Sequence, residues 1–273
     1  MANVRLRTVD SFTDRPFTGN PAAVLLLDEA PSDEWLAAVA RETSVPDTGF
    51  VIREELPDVD FRLRWFTPTV EVDLCGHATL ASAHCLFEDG VRGPIRFATR
   101  SGVLTVSQRA DGALAMDFPA WPPTEIEARS TVAEALGASV EWTGRTDNEV
   151  FLLALVADEG SVRDLSPDLT AVSALDASAV IVTAVANPGQ GYDFVSRVFA
   201  PTLGIPEDPV TGSAHTVLAP FWADRLGSTS LVGLQASLRS GQVGVELNGD
   251  RVTIIGRAIT VLDGALTSAA NPS

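Results

Sequence analysis

Short apolar or alternating runs recur along the chain and read as strands: Val4–Phe12, Ala22–Asp28, Gly49–Arg53 and Val59–Phe66. Ser32–Glu42 instead has the spacing of an amphipathic surface helix. Ser32 is placed to cap it, and Asp33 and Glu34 lie in the first turn, where the helix dipole favours acids. Gly76 to about Phe87 is different again. Ala78, Leu80, Ala81, Ala83 and Leu86 make it apolar nearly all round, as in a buried helix, and its Ala and Ser residues would let strands pack close. Gly212 to about Leu226 has the same character. Further strands are expected at Ile95–Thr99, Val103–Gln108, Leu114–Phe118, Leu231–Leu238, Val243–Leu247, Val252–Ile255 and Ala258–Leu262, and Thr267 onward reads as a frayed tail.

The pattern occurs twice. Phe66-Thr-Pro-Thr69 returns as Phe199-Ala-Pro-Thr202, Cys75-Gly-His-Ala78 aligns with Thr211-Gly-Ser-Ala214, and Arg100-Ser-Gly102 aligns with Arg239-Ser-Gly241. The helical stretch at 32–41 has a weaker partner around 166–175. Common order at a slowly growing offset argues for two similar halves, each a sheet wrapped round one small-residue helix. The proline-rich segment Phe118-Pro-Ala-Trp-Pro-Pro123 divides them. The expected domains are residues 1–119, closed by a strand from 258–273, and residues 124–257.

Composition narrows the chemistry. The 273 residues are 45% hydrophobic and 20% charged, as in a globular chain with a sizeable core. Nineteen basic residues against 36 acidic ones give a net charge of −17, which repels phosphate backbones and anionic lipid. Neither nucleic acid nor membrane is an expected partner. No apolar run is long enough to span a bilayer, and the start has no apolar export signal, so the cytoplasm is the expected compartment. Every basic residue is Arg. Without Lys the chain has no Schiff-base lysine and no Walker phosphate loop. Neither a dinucleotide fingerprint nor a nucleophile elbow is present. Cys75 and Cys85 lack zinc-site spacing, and His77, His84 and His215 lack the spacing of a helical zinc site, so neither a metal nor a cofactor is expected.

All three His and both Cys lie in or beside the two sibling helices. A glycine opens each helix, and the backbone N–H groups and dipole at a helix start attract anions, by about 0.3–1 kcal/mol when exposed and up to about 2 when buried. Gly76 with His77, and Gly212 with Ser213, are therefore candidate binders of a small carboxylate substrate. Alternatively, the glycines simply open tightly packed helices. His84, a turn and more into its helix, reads as structural. Pro46-Asp47-Thr48-Gly49 reads as a turn in which Asp47 is a local hydrogen-bond acceptor.

Three longer segments resemble one family. Val9-Asp-Ser-Phe-Thr-Asp-Arg-Pro-Phe-Thr-Gly-Asn-Pro-Ala-Ala-Val24, then Phe66-Thr-Pro-Thr69 with Asp73-Leu-Cys-Gly-His-Ala-Thr79, and then Ser196-Arg-Val-Phe-Ala-Pro201 with Gly204-Ile-Pro-Glu-Asp-Pro-Val-Thr-Gly-Ser-Ala-His215 are similar to the phenazine-biosynthesis PhzF-like proteins. The resemblance implies an α+β, diaminopimelate-epimerase-like fold: two pseudo-symmetric domains, each a curled, mostly antiparallel sheet round a central helix, often as a homodimer. It also implies cofactor-free proton transfer on a small carboxylic acid in the inter-domain cleft. The family's acid/base is usually a Glu; here the aligned carboxylate is Asp47, one methylene shorter. The resemblance makes His77 and Asp208 site residues and Asn20 a substrate contact, with Ser213 a donor to the substrate carboxylate or a cap of its helix. In related epimerases and racemases two thiols act on opposite faces of the substrate carbon. Cys75 stands at the first position, while Thr211 occupies the second by the repeat alignment, which argues against a symmetric two-thiol racemase. Two alternatives to a carboxylate-driven isomerase therefore remain: an epimerase or racemase using Cys75, and a binding or scaffolding protein that kept the fold without its chemistry.

Overall fold

The computed structural model describes residues 4–53 and 58–272; the first three residues of the amino-terminal stretch and Ser273 of the tail lie outside the described residues. The chain divides into two compact units, Met1–Asp117 with Ile255–Ser273, and Phe118–Ile254. Among the described residues no helix is long and apolar enough to cross a membrane.

The first unit runs β1 (Arg5–Ser11), β2 (Asn20–Leu27), α1 (Asp33–Thr43), β3 (Asp47–Arg53), β4 (Phe61–Phe66), β5 (Glu71–Val72), α2 (Gly76–Glu88), β6 (Ile95–Thr99), β7 (Gly102–Gln108) and β8 (Leu114–Pro119). Strand β2 pairs antiparallel with β1 and parallel with β3; β4 pairs antiparallel with β3 and β5 and parallel with β6, which pairs antiparallel with β7. The second unit runs β9 (Thr124–Glu125), α3 (Arg129–Leu136), β10 (Trp142–Arg145), β11 (Phe151–Leu155), α4 (Glu159–Arg163), α5 (Leu169–Ser173), β12 (Ala179–Val185), β13 (Phe194–Ala200), β14 (Ile205–Asp208), α6 (His215–Leu226), β15 (Ser230–Gln235), β16 (Gly241–Asn248) and β17 (Arg251–Gly256). Its ladders repeat the same senses in the same order: β10–β11 antiparallel, β11–β12 parallel, β12–β13 and β13–β14 antiparallel, β13–β15 parallel, β15–β16 antiparallel. The fold is α+β, and the duplicated motifs correspond to a duplicated topology. The last strand, β18 (Ala258–Ala265), returns to pair antiparallel with β1.

Helices cover both faces of the paired strands. In the first unit Leu25, Leu27, Phe50 and Ile52 pack with Leu36, Val39 and Ala40 of α1. The alternate positions face α2, whose residues from His77 to Phe87 are buried except His84. This double cover is why β2 and β3 carry nearly continuous apolar runs. Gly49 permits the close approach, because a Cβ there would sit 2.7 Å from Ser82 Oγ. In the second unit Val132, Leu136, Val162 and Val172 of α3, α4 and α5 cover β11, β12 and β13.

One device is built twice. Arg64 grips Glu71 through two 2.7 Å hydrogen bonds, and its guanidinium lies 5.2 Å from the Phe66 ring centre. Arg197 likewise grips Glu207 at 2.7 and 2.9 Å and lies 5.0 Å from the Phe199 ring centre. Each clamp fixes the short strand, β5 or β14, that leads into the central helix. Planar guanidinium and carboxylate groups suit such forked pairing.

Three expectations are corrected. Pro46–Gly49 is not a turn: Ser44, in the left-handed region at φ 54°, ends α1, and Asp47 already opens β3 by pairing with Ala22. Gly212 and Ser213 do not open α6. They lie in a tight turn whose i→i−3 bonds, His215 N–H to Gly212 O and Thr216 N–H to Ser213 O, precede a helix that begins at His215. The tail is not frayed: Ser268–Ala270 form a 3₁₀ turn, and the Trp35 indole N–H donates to Ala270 O at 2.9 Å.

Candidate functional site

Strand order in the first unit gathers polar side chains at the start of α2. Asp47 is the first residue of β3, and Asn20, which opens β2, shares a face with Asp47's neighbour Ala22. Opposite Asn20 in the ladder is Ser11, whose hydroxyl donates to His77 O at 2.8 Å and pins the first turn of α2 to β1. Gly19, at φ 70°, makes the turn between these strands; a Cβ there would fall 2.2 Å from Ser11 O. Cys75 is the N-cap of α2 in extended conformation and makes no side-chain cap bond, so the first backbone donors of Gly76 and His77 are not capped by it. Thr79 Oγ1 donates to Cys75 O at 2.6 Å and holds the cap residue in place.

Asp47, His77 and Cys75 converge there, 7%, 6% and 8% exposed. Cys75 Sγ lies 3.4 Å from His77 Nδ1, and Asp47 Oδ2 lies 3.6 Å from His77 Nε2. Burial pushes the imidazole down to about 3, so His77 is neutral at physiological pH. The thiol, imidazole and carboxylate each offer a ligand atom within 4.8 Å of the others. Chain spacing gave no sign of this donor set, because Asp47 reaches it through the sheet rather than along the sequence.

In the second unit, Asp208 ends β14 and accepts a hydrogen bond from Thr211 Oγ1. The fully buried Gln235 of β15 organises this corner: its Nε2 donates to Asp208 O at 2.8 Å and to Thr211 Oγ1 at 3.2 Å, and its Oε1 accepts from Thr211 N–H at 2.8 Å. With Gln235 donating to it, the Thr211 hydroxyl directs its own proton to Asp208. His215 Nδ1 lies 2.9 Å from Thr211 O, and burial pushes this imidazole down to about 4. Gly212 and Ser213 occupy the intervening turn. Sequence reasoning missed Ser11 and Gln235. The second carried a usable signal, since Leu231, Gly233 and Gln235 are the alternating buried positions of β15 and one of them is an amide. His84 belongs to neither group: its Nε2 lies 3.2 Å from both Glu88 Oε1 and Thr260 Oγ1.

Known proteins share this architecture. The family model described as phenazine biosynthesis-like protein (PhzC-PhzF) matches residues 9–264. An uncharacterized isomerase of Pseudomonas aeruginosa is 47% identical over 260 residues, covering 94% of this chain and 96% of the relative. An uncharacterized isomerase of Halalkalibacterium halodurans is 40% identical over 271 residues, covering 97% and 99%. The crystal structure of a PhzF-family phenazine biosynthesis protein from Enterococcus faecalis superposes with a TM-score of 0.91 at 37% identity, covering 97% of this chain and all of that one.

Proposed function

The chain belongs to the phenazine biosynthesis-like protein family, and we propose that it is a cofactor-independent isomerase that moves a proton on a small carboxylic acid. The observation that carries this reading is the buried Asp47 carboxylate, 3.6 Å from an imidazole that burial keeps neutral, at the start of a buried helix. The isomerase names of the relatives support it. Asp47 takes the proton from a carbon acidified by a neighbouring carboxylate or double bond and returns it at the new position. The N–H groups of Gly76 and His77, at the positive end of α2, bind the substrate carboxylate. His77 accepts from the Cys75 thiol at Nδ1, while its Nε2, 3.6 Å from Asp47 Oδ2 and beyond hydrogen-bond reach of it, is left to meet the substrate. Asn20 orients the substrate beside Asp47.

Incubation of the wild-type protein with a panel of small unsaturated and amino acids in D₂O, read by NMR, tests the assignment. Exchange into at least one acid is expected, and Asp47→Asn should slow it by roughly 10²–10⁴-fold, the usual worth of a positioned acid/base. Exchange that survives the substitution removes Asp47 from the mechanism. A second reading, in which the Cys75 thiol handles the proton, is favoured by its 3.4 Å contact with His77 Nδ1. An unchanged rate in a folded Cys75→Ser variant retires it.

A further inference from the structure

The corner of Asp47, Cys75 and His77 also has the makings of a metal site, and it is the one cluster of this kind found among the described residues. Zinc bonded to N, O and S at about 2.0–2.3 Å keeps tetrahedral ligands roughly 3.3–3.7 Å apart. One ring nitrogen of His77 can serve an ion at a time: Nδ1 lies 3.4 Å from Cys75 Sγ, within that range, and the ligand atoms of Asp47, Cys75 and His77 all lie within 4.8 Å of one another. From this geometry we infer that the cluster is an inhibitory site for a soft divalent cation, zinc above all, and that the bound ion stops proton transfer by occupying the Asp47 carboxylate. The inhibitory half rests on the function proposed for Asp47; the binding half does not.

Three further features favour the site. A thiolate and an imidazole select zinc over magnesium or calcium, which prefer all-oxygen surroundings. One thiolate and one carboxylate offset the charge of a dication, so the closed site is neutral, as its burial demands. The ligands are also held in advance: Ser11 fixes the His77 carbonyl, Thr79 fixes that of Cys75, and the β2–β3 ladder fixes Asp47. Three protein ligands leave the fourth position to water or to a substrate carboxylate. The repeat-related position of the second unit holds Thr211, whose hydroxyl is committed to Asp208.

The test is a titration of the full-length, chelator-washed protein with zinc in competition with a chromophoric chelator, repeated with cobalt(II). One ion per chain and a thiolate-to-cobalt charge-transfer band are expected. Cys75→Ala and His77→Gln should each weaken binding by at least ~100-fold, beyond the roughly 10–100-fold cost of disturbing an outer-sphere partner. Cys85→Ala, which removes the other buried thiol, should leave affinity unchanged. Should Cys75→Ala not fold, protection of the wild-type Cys75 thiol from alkylation by zinc gives the same readout. Absence of stoichiometric binding, or full affinity in a folded Cys75→Ala variant, overturns the site. Deuterium exchange should fall in proportion to zinc occupancy and return with chelator; undiminished exchange at full occupancy overturns the inhibitory half. Zinc binding in a protein that exchanges no acid would leave the site standing and count against the proposed function instead.

Discussion

His215 is fully buried, with Nδ1 against the Thr211 carbonyl and its ring 6.0 Å from that of Phe194. Burial lowers its proton affinity to about 4, against an ordinary 6.5. The unfolded chain therefore takes up a proton that the folded chain refuses between those two values. Stability at this residue is complete above pH 6.5 and is lost as pH falls toward 4, by up to roughly 3 kcal/mol. Urea unfolding at pH 7, 5.5 and 4.5 should show wild type losing more stability than His215→Gln over that range; parallel losses would show that another group is responsible. At this scale the sequence was readable where a motif stayed contiguous. Cys75-Gly-His77 and Asp208 stood in segments resembling a known family, and Asp47 was found only through that resemblance. Nothing local marked it, because its surroundings are supplied by β2 and α2, distant in the chain and adjacent in space.

Among the elements, the apolar pattern marked α2 well because a helix buried all round has an unmistakable composition. The start of α6 was misjudged for a physical reason: in Gly212-Ser213-Ala214 the chain tightens into i→i−3 bonds before the α-helix begins, so the glycine marks the turn rather than the first helical residue. The packing of α2 on β3 gives a direct test. Gly49→Ala would place a methyl 2.7 Å from Ser82 Oγ, and an overpacked core of this kind typically costs about 1–3 kcal/mol. Denaturant melts of Gly49→Ala and of Gly49→Ala with Ser82→Ala should show the second change recovering part of the loss; no recovery would mean that the contact is not what destabilises the variant. The paired clamps make another test. Arg197→Lys keeps the charge but not the fork on Glu207, so the strand ending at Asp208 should loosen. Hydrogen exchange of β14 amides should quicken at least ~10-fold, the equivalent of about 1.4 kcal/mol; unchanged protection would mean that the rest of the hairpin holds it unaided.

For the molecule as a whole, the repeat was legible as four landmarks in common order, yet the ladders themselves were not. Two parallel pairings in each unit bridge intervening helices, and no spacing in the sequence announces them. Strand β18 has the longest reach, running from Arg5↔Ala265 to Ser11↔Ala258 along β1. A chain shortened to residue 257 would leave that side of β1 bare. It should show faster amide exchange in β1 and a lower thermal midpoint; an unaltered midpoint would make the pairing dispensable. The same connection has a meaning for biosynthesis. During translation, the nascent amino-terminal strand must wait while the whole intervening segment from Phe118 to Ile254 is made before its second neighbour leaves the ribosome, so the portion begun first is completed last.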